Sequence, residues 1–165
     1  MRRLTLIRHA KAVPAGPGQP DFDRPLAQRG QRDARRMAEH LLDRFERPLW
    51  LVSSPAPRAL ATARHYAEAL DMPDSGITHE PRIYEAGAGD LLALVNALSD
   101  RQGHVLLFGH NPGFSELGAL LAAEPFADLP TGAVATLVFD VWRWAAVTPG
   151  SGRLLRWLAP RQLAD

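Results

Sequence analysis

Cysteine is absent from the 165-residue chain, which excludes both a disulfide framework and a thiolate nucleophile. Lysine is almost absent as well: Lys11 is the only one, and every other basic side chain of the lysine–arginine pair is an arginine. No apolar run approaches the ~18 residues that a membrane span needs. The amino-terminal "MRRLTLIRHA" is basic, but Arg8 interrupts its apolar stretch far too early for a secretory signal. The cytoplasm is therefore the expected location. The formal net charge is only +1, so the broad basic field of a nucleic-acid binder is missing. There is no G-x-x-x-x-G-K-[ST] stretch, which excludes a P-loop. None of the six histidines forms the helical i, i+4 pair with a carboxylate that marks a zinc protease. No metal site is expected.

What is present can build a core. Hydrophobic residues make up 46 % and charged residues 22 %, and the length fits one domain over residues 1–165. Leu4 to Ile7 reads as a buried strand, and the Pro- and Gly-rich "AVPAGPGQPDFDRP" after it as a long irregular lip. Ala34, Met37, Ala38, Leu41, Leu42 and Phe45 have helical spacing and predict a helix from Gln28 to Phe45. Leu49 to Val52 reads as a second strand. Ser54 offers the N-cap of a helix with Pro55 at its first position, running to about Leu70. "ITHEPRIYE" reads as an edge strand or loop, because Pro81 cannot serve a central ladder. Asp90 can cap a helix carrying Leu91, Leu94, Val95 and Leu98, with Gly103 closing it. "VLLFG" has the continuous apolar pattern of a central strand, and Asn111 and Pro112 start another helix. "AVATLVFDV" and "RLLRWLA" predict an antiparallel pair at the sheet edge. This alternation predicts an α/β fold, with helices on both faces of a mostly parallel sheet in three layers.

Ligands of such sheets bind where strands end and helices begin. Three strand ends are chemically marked: Arg8-His9, Ser53-Ser54 leading to Arg58, and Gly109-His110-Asn111. If the strands are neighbours, two guanidinium groups and two imidazoles converge beside helix amino-terminal N–H groups. That composition suits a phosphoryl group. With no thiol available, an imidazole is the candidate nucleophile. His9 would attack phosphorus, water would release the phosphoramidate, and Arg8, Arg58 and His110 would stabilise the transferring charge without a metal.

Other features have simpler readings. Asp21 to Asp23, "DFD", lacks the preceding apolar strand of an aspartyl-phosphate site, and "GFSEL" lacks the final glycine of a nucleophile elbow. Ser53 and Ser54 read as a turn and a cap. His40 and His65 read as helix packing or solvent contacts, and His79 and His104 as loop or strand-edge residues. Trp142, Trp144 and Trp157 read as core and hairpin aromatics.

"LIRHAKA", "SSPAPRALATA" and "LLFGHNPG", in that order, resemble the three signature stretches of the histidine phosphatase superfamily, also described as phosphoglycerate mutase-like. The short length, "RHA" where Arg-His-Gly is commoner, and "DRPLAQRG" are most similar to the small SixA-type phosphohistidine phosphatases. The resemblance spans roughly Leu4 to Phe114. It implies the histidine phosphatase fold, His9 as the phosphorylated nucleophile, Arg8, Arg58 and His110 as its phosphate partners, and no metal or organic cofactor. It also implies a carboxylate general acid after the second helix, where "RIYEAGAGD" supplies Glu85. Arg24, in the lip, is a further candidate for phosphate binding. The expected substrate is phosphohistidine in a protein. The alternatives are a small phosphate ester, a mutase-like transfer, or a phosphate-binding module without turnover. A monomer or weak dimer is expected.

Overall fold

The alternation of side chains along each strand divides the core in two. In β1 (Arg2–Arg8), Leu4 and Leu6 face one side of the sheet and Ile7 the other. β4 (His104–Gly109) repeats this, with Val105 and Leu107 on the first side and Leu106 and Phe108 on the second. Both strands are buried throughout their apolar run, as central strands covered by two helical layers must be. The computed structural model describes residues 1–164. It contains four further strands: β2 (Trp50–Ser53), β3 (Ile77–His79), β5 (Val134–Phe139) and β6 (Arg153–Leu158).

The strand order is β3-β2-β4-β1-β5-β6. β3, β2, β4 and β1 pair in parallel, β5 pairs antiparallel to β1, and β6 antiparallel to β5. The helices are α1 (Gln28–Leu41), α2 (Pro57–Ala69), α3 (Ala88–Asn96) and α4 (Gly113–Leu121). α1 and α2 contribute Met37, Leu41, Leu60 and Tyr66 to one core, beside Ile7 and Phe108. α3 and α4 contribute Leu91, Leu94, Phe114 and Leu117 to the other. The fold is the expected α/β sandwich of three layers, mostly parallel with an antiparallel edge. No helix among the described residues is long and apolar enough to cross a membrane.

Several local expectations shift. α1 ends at Leu41, and the segment Leu42–Arg44 tightens into a 3-10 turn instead of continuing to Phe45. α2 starts two residues later than Ser54 and Pro55 suggest: Ala56 is its N-cap and Pro57 its first residue. α3 is capped at Gly87, with Asp90 inside its first turn, and it ends before Gly103. α4 begins at Gly113, with Pro112 at the cap. Trp144 is fully buried, whereas Trp142 is 84 % exposed and belongs to no core.

His104 is also buried, not a loop or edge residue. Its Nδ1 donates to the Glu46 carbonyl (3.0 Å), and its Nε2 lies 2.8 Å from Thr5 Oγ1. Thr5 Oγ1 in turn meets Thr136 Oγ1 at 2.8 Å, so one polar chain crosses β4, β1 and β5. Isolated apolar periodicity gives no sign of such a chain, because its members lie on three separate strands.

Gly30 lets the first turn of α1 pack against the chain just beyond β1, at Lys11. A Cβ there would lie 2.0 Å from the Lys11 carbonyl oxygen, which already accepts the Ala27 N–H. Gly→Ala inside a helix ordinarily gains about 0.5–1 kcal/mol. Here Gly30→Ala is expected to lose about 1–3 kcal/mol through overpacking against backbone. The urea midpoint should fall; a raised midpoint would contradict the packing.

Candidate active site

The parallel register brings three strands to an end at one level. Arg8 pairs with Gly109, and Ser53 with Phe108. The ladder runs one step further: the His9 N–H donates to the Gly109 carbonyl (2.9 Å) and the Ser54 N–H to the Phe108 carbonyl (3.0 Å). His9, His110 and Ser54 therefore leave the sheet side by side. The His9 and His110 rings are 5.3 Å apart between centroids. α2 and α4 both begin at this edge, so their amino-terminal N–H groups face the same region.

His9 is 6 % exposed. Its Nδ1 lies 2.7 Å from the Ala10 carbonyl, which can only accept, so Nδ1 carries the proton and Nε2 holds a lone pair. Burial, with the nearby Arg58 and Arg8 charges, pushes its pKa from 6.5 down to about 4. The residue after it is pinned from α2: the Ala10 N–H donates to Thr62 Oγ1 (3.1 Å), and that hydroxyl donates to the Arg58 carbonyl (2.8 Å). His110 is held by Ser54, whose Oγ is 2.8 Å from Nε2. Burial first, then the neighbouring His9 and Arg58, lower its pKa to about 3. Both rings are neutral at ordinary pH.

Arg8 reaches the Leu129 carbonyl through Nη1 (2.9 Å), an oxygen that also accepts from Asn111 Nδ2 (2.9 Å). Arg58, 4 % exposed, donates from Nη1 to the Asp21 carbonyl (2.8 Å) and from Nη2 to Asp21 Oδ2 (2.9 Å). Tyr84 Oη donates to the same carboxylate oxygen (2.8 Å), and Arg24 Nη1 to Oδ1 (3.0 Å). The Tyr84 bond first, then Arg24, with Arg58 adding to them, hold the Asp21 carboxyl at about 2. Three buried donors or ring nitrogens at this edge have no partner: Arg8 Nε, Arg58 Nε and His110 Nδ1. Buried polar atoms are rarely left so; with the His110 ring beside His9 and the Arg8 and Arg58 charges acting on it, these three suit the binding of an anion.

Arg8, His9, Arg58 and His110 thus come together as expected. Arg24 stands at the rim of this group: its Nε donates to the Val13 carbonyl (3.0 Å) and its Nη1 to Asp21, while its charge adds to those of Arg58 and Arg8 in lowering the His9 pKa. Glu85 is exposed, has φ 60°, and makes no hydrogen bond or ion pair with the described residues. It lines a cleft of about 390 Å³ with Asp21, Arg58, Tyr84, His110 and Asn111. Ser54 lies two residues before the N-cap of α2, accepts from the Ala56 N–H and is also the partner of His110. Asp21, Tyr84, Ser54 and Thr62 escape a reading of the sequence, since their partners lie tens of residues away. The one available signal for Asp21 is an acidic residue in a lip that must close over arginines. Among the described residues, no group of three or more His, Asp or Glu side chains is placed to hold a metal ion.

A family profile, "Histidine phosphatase superfamily (branch 1)", matches residues 4–124. The chain belongs to the histidine phosphatase superfamily. It is 32 % identical to an uncharacterized protein of Mycobacterium tuberculosis, over 94 % of this chain and 100 % of that protein. A SixA of Agrobacterium tumefaciens, provisionally a phosphohistidine phosphatase, superposes with a TM-score of 0.78 at 34 % identity, covering 96 % of this chain and 98 % of that one. The protein histidine phosphatase SixA complexed with tungstate gives a TM-score of 0.81 at 25 % identity, over 98 % and 99 %. A mycobacterial glucosyl-3-phosphoglycerate phosphatase complexed with VO3 shares the fold at 19 % identity, with a TM-score of 0.71 over 96 % of this chain and all of that one. Like the SixA proteins, this member of the superfamily is a phosphatase enzyme.

The electrostatics of this histidine phosphatase site make a direct prediction. A titration of the ligand-free protein by imidazole NMR should give His9 a midpoint near 4. A midpoint at the ordinary 6.5 would contradict the buried, cationic setting.

Proposed function

We propose that the enzyme hydrolyses phosphohistidine in proteins through a phosphorylated His9. The observation that carries the reading is the set of unpartnered nitrogens, Arg8 Nε, Arg58 Nε and His110 Nδ1, beside the unprotonated Nε2 of His9. In the first step the Nε2 lone pair forms a bond to phosphorus. The bond from phosphorus to the substrate's imidazole nitrogen breaks, and that nitrogen takes the electron pair. In the second step water adds to phosphorus, the His9 Nε2–P bond breaks, and the pair returns to Nε2 as the water's proton passes to the released phosphate. Arg8, Arg58 and His110 donate to the phosphoryl oxygens in both steps. Arg24 helps to hold Asp21 on Arg58 and adds its charge to the field around His9.

The leaving-group side favours phosphohistidine over a metabolite ester. Arg58 is the sole cation among the residues lining the cleft, and Asp21 and the phosphoryl group engage it. Arg24 is tied to Asp21 and Val13, and Arg82 to Glu80 through Nε (2.9 Å) and Nη2 (3.0 Å). Among the described residues that line the cleft, Glu85 would repel a second anionic group of a metabolite, and Arg58 is already shared with Asp21. A protonated phosphohistidine leaves as neutral imidazole and needs no counter-charge. Glu85 stands where it can serve an oxygen leaving group that must be protonated.

Incubation with a ³²P-labelled phosphohistidine peptide should trap an acid-labile, base-stable phosphoenzyme. His9→Ala should remain folded and form none, and Arg58→Ala should lose about 10²–10³-fold in kcat. A carboxylate-bearing phosphate monoester should be turned over at least ~10-fold more slowly than the peptide. Wild-type turnover by His9→Ala would refute the mechanism, and preference for the anionic ester would refute the substrate class.

A further inference from the structure

The hydroxyl of Ser54 has more to do than complete a turn. Ser54 is fully buried where β2 passes into α2. Its Oγ lies 3.2 Å from the Ala56 N and 2.8 Å from His110 Nε2. An amide N–H only donates, so Oγ accepts from Ala56. The hydroxyl has one proton to place, and the neutral imidazole also has one.

We propose that Ser54 is a positioning residue that donates its hydroxyl proton to His110 Nε2 and so fixes the His110 proton on Nδ1. In this arrangement every donor is used. Ala56 N–H donates to Ser54 Oγ, Ser54 Oγ–H donates to Nε2, and Nδ1–H is the unpartnered group at the cradle. The opposite tautomer fails on two counts. Nε2–H would also donate to Oγ, leaving the buried serine proton with no acceptor among the described residues. It would also turn the Nδ1 lone pair toward the oxygens of the bound anion, exchanging an attraction for a repulsion. Burial keeps the ring neutral, so it has no second proton to evade the choice.

The same oxygen couples two elements of the site. Ser54 grips α2 through Ala56, two residues before Arg58, and grips His110 at the end of β4. One hydroxyl therefore sets both the proton and the distance between two phosphate donors. Two histidines are fixed by different means: a backbone carbonyl leaves His9 with a free Nε2, and a serine leaves His110 with a free Nδ1–H. One ring thus becomes a nucleophile and the other a donor.

The inference rests on the proposed anion site, and its test separates the two. Long-range ¹H–¹⁵N correlation spectra of the wild-type protein at neutral pH should show His110 protonated at Nδ1. A His110 protonated at Nε2 would overturn the proposal, whatever the enzyme hydrolyses. In Ser54→Ala, the His110 signals should move toward the Nε2–H tautomer, and kcat for the phosphohistidine peptide should fall about 10- to 100-fold with KM little changed. Unchanged tautomer and kcat would also overturn it. If wild-type His110 carries Nδ1–H and no phosphoenzyme forms, the tautomer assignment holds and the phosphatase reading fails.

Discussion

The parallel ladder joining β1, β4 and β2 is what brings the two histidines of the site together. Because Arg8 pairs with Gly109 and Phe108 with Ser53, the first residues beyond the three strands are neighbours in space. The chain separates His9 from His110 by a hundred residues, yet no long-range contact beyond the ladder is needed to place them together. A slip of one residue in either pairing would turn the apolar faces outward and draw the imidazoles apart at once. Core burial and site geometry are thus one constraint. The two hydrophobic layers that stabilise the register also align the chemistry.

Gathering guanidinium groups beside buried imidazoles carries an electrostatic cost, and the structure meets it in two ways. The imidazoles stay neutral, since burial lowers both pKa values well below 6.5. Asp21 supplies a counter-charge to Arg58 without filling the cradle, as it binds the two outer nitrogens and leaves Nε unpartnered. Tyr84 and Arg24 hold that carboxylate in place. Arg58 is therefore oriented before a phosphoryl group arrives, which is the preorganisation that transition-state stabilisation requires.

The layered α/β fold and the central tetrad are legible in the sequence because both follow from short-range patterns. An apolar run ending in Arg8-His9, and another ending in Gly109-His110, mark strand tips as functional without knowledge of the partners. What stays illegible is pairwise. Asp21 reads as part of a loop until Arg58, Tyr84 and Arg24 are seen around it, and Ser54 reads as a helix cap because serine before proline and a helix usually is one. His104 reads as an edge residue because Thr5 and Thr136, which make its burial tolerable, belong to other strands. Helix boundaries err for a related reason. Ser54 accepts from the Ala56 N–H while meeting His110, and α2 starts only at Pro57, with no side-chain cap.

On the proposed mechanism, a tetrahedral anion binds where Arg8, Arg58 and His110 hold unpartnered nitrogens near His9. The most direct test is a crystal structure with orthovanadate bound. Vanadium is expected within bonding distance of His9 Nε2, with Arg8 Nε, Arg58 Nε and His110 Nδ1 donating to its oxygens. Vanadate bound away from His9, or bound there with those three nitrogens still without partners, would contradict it.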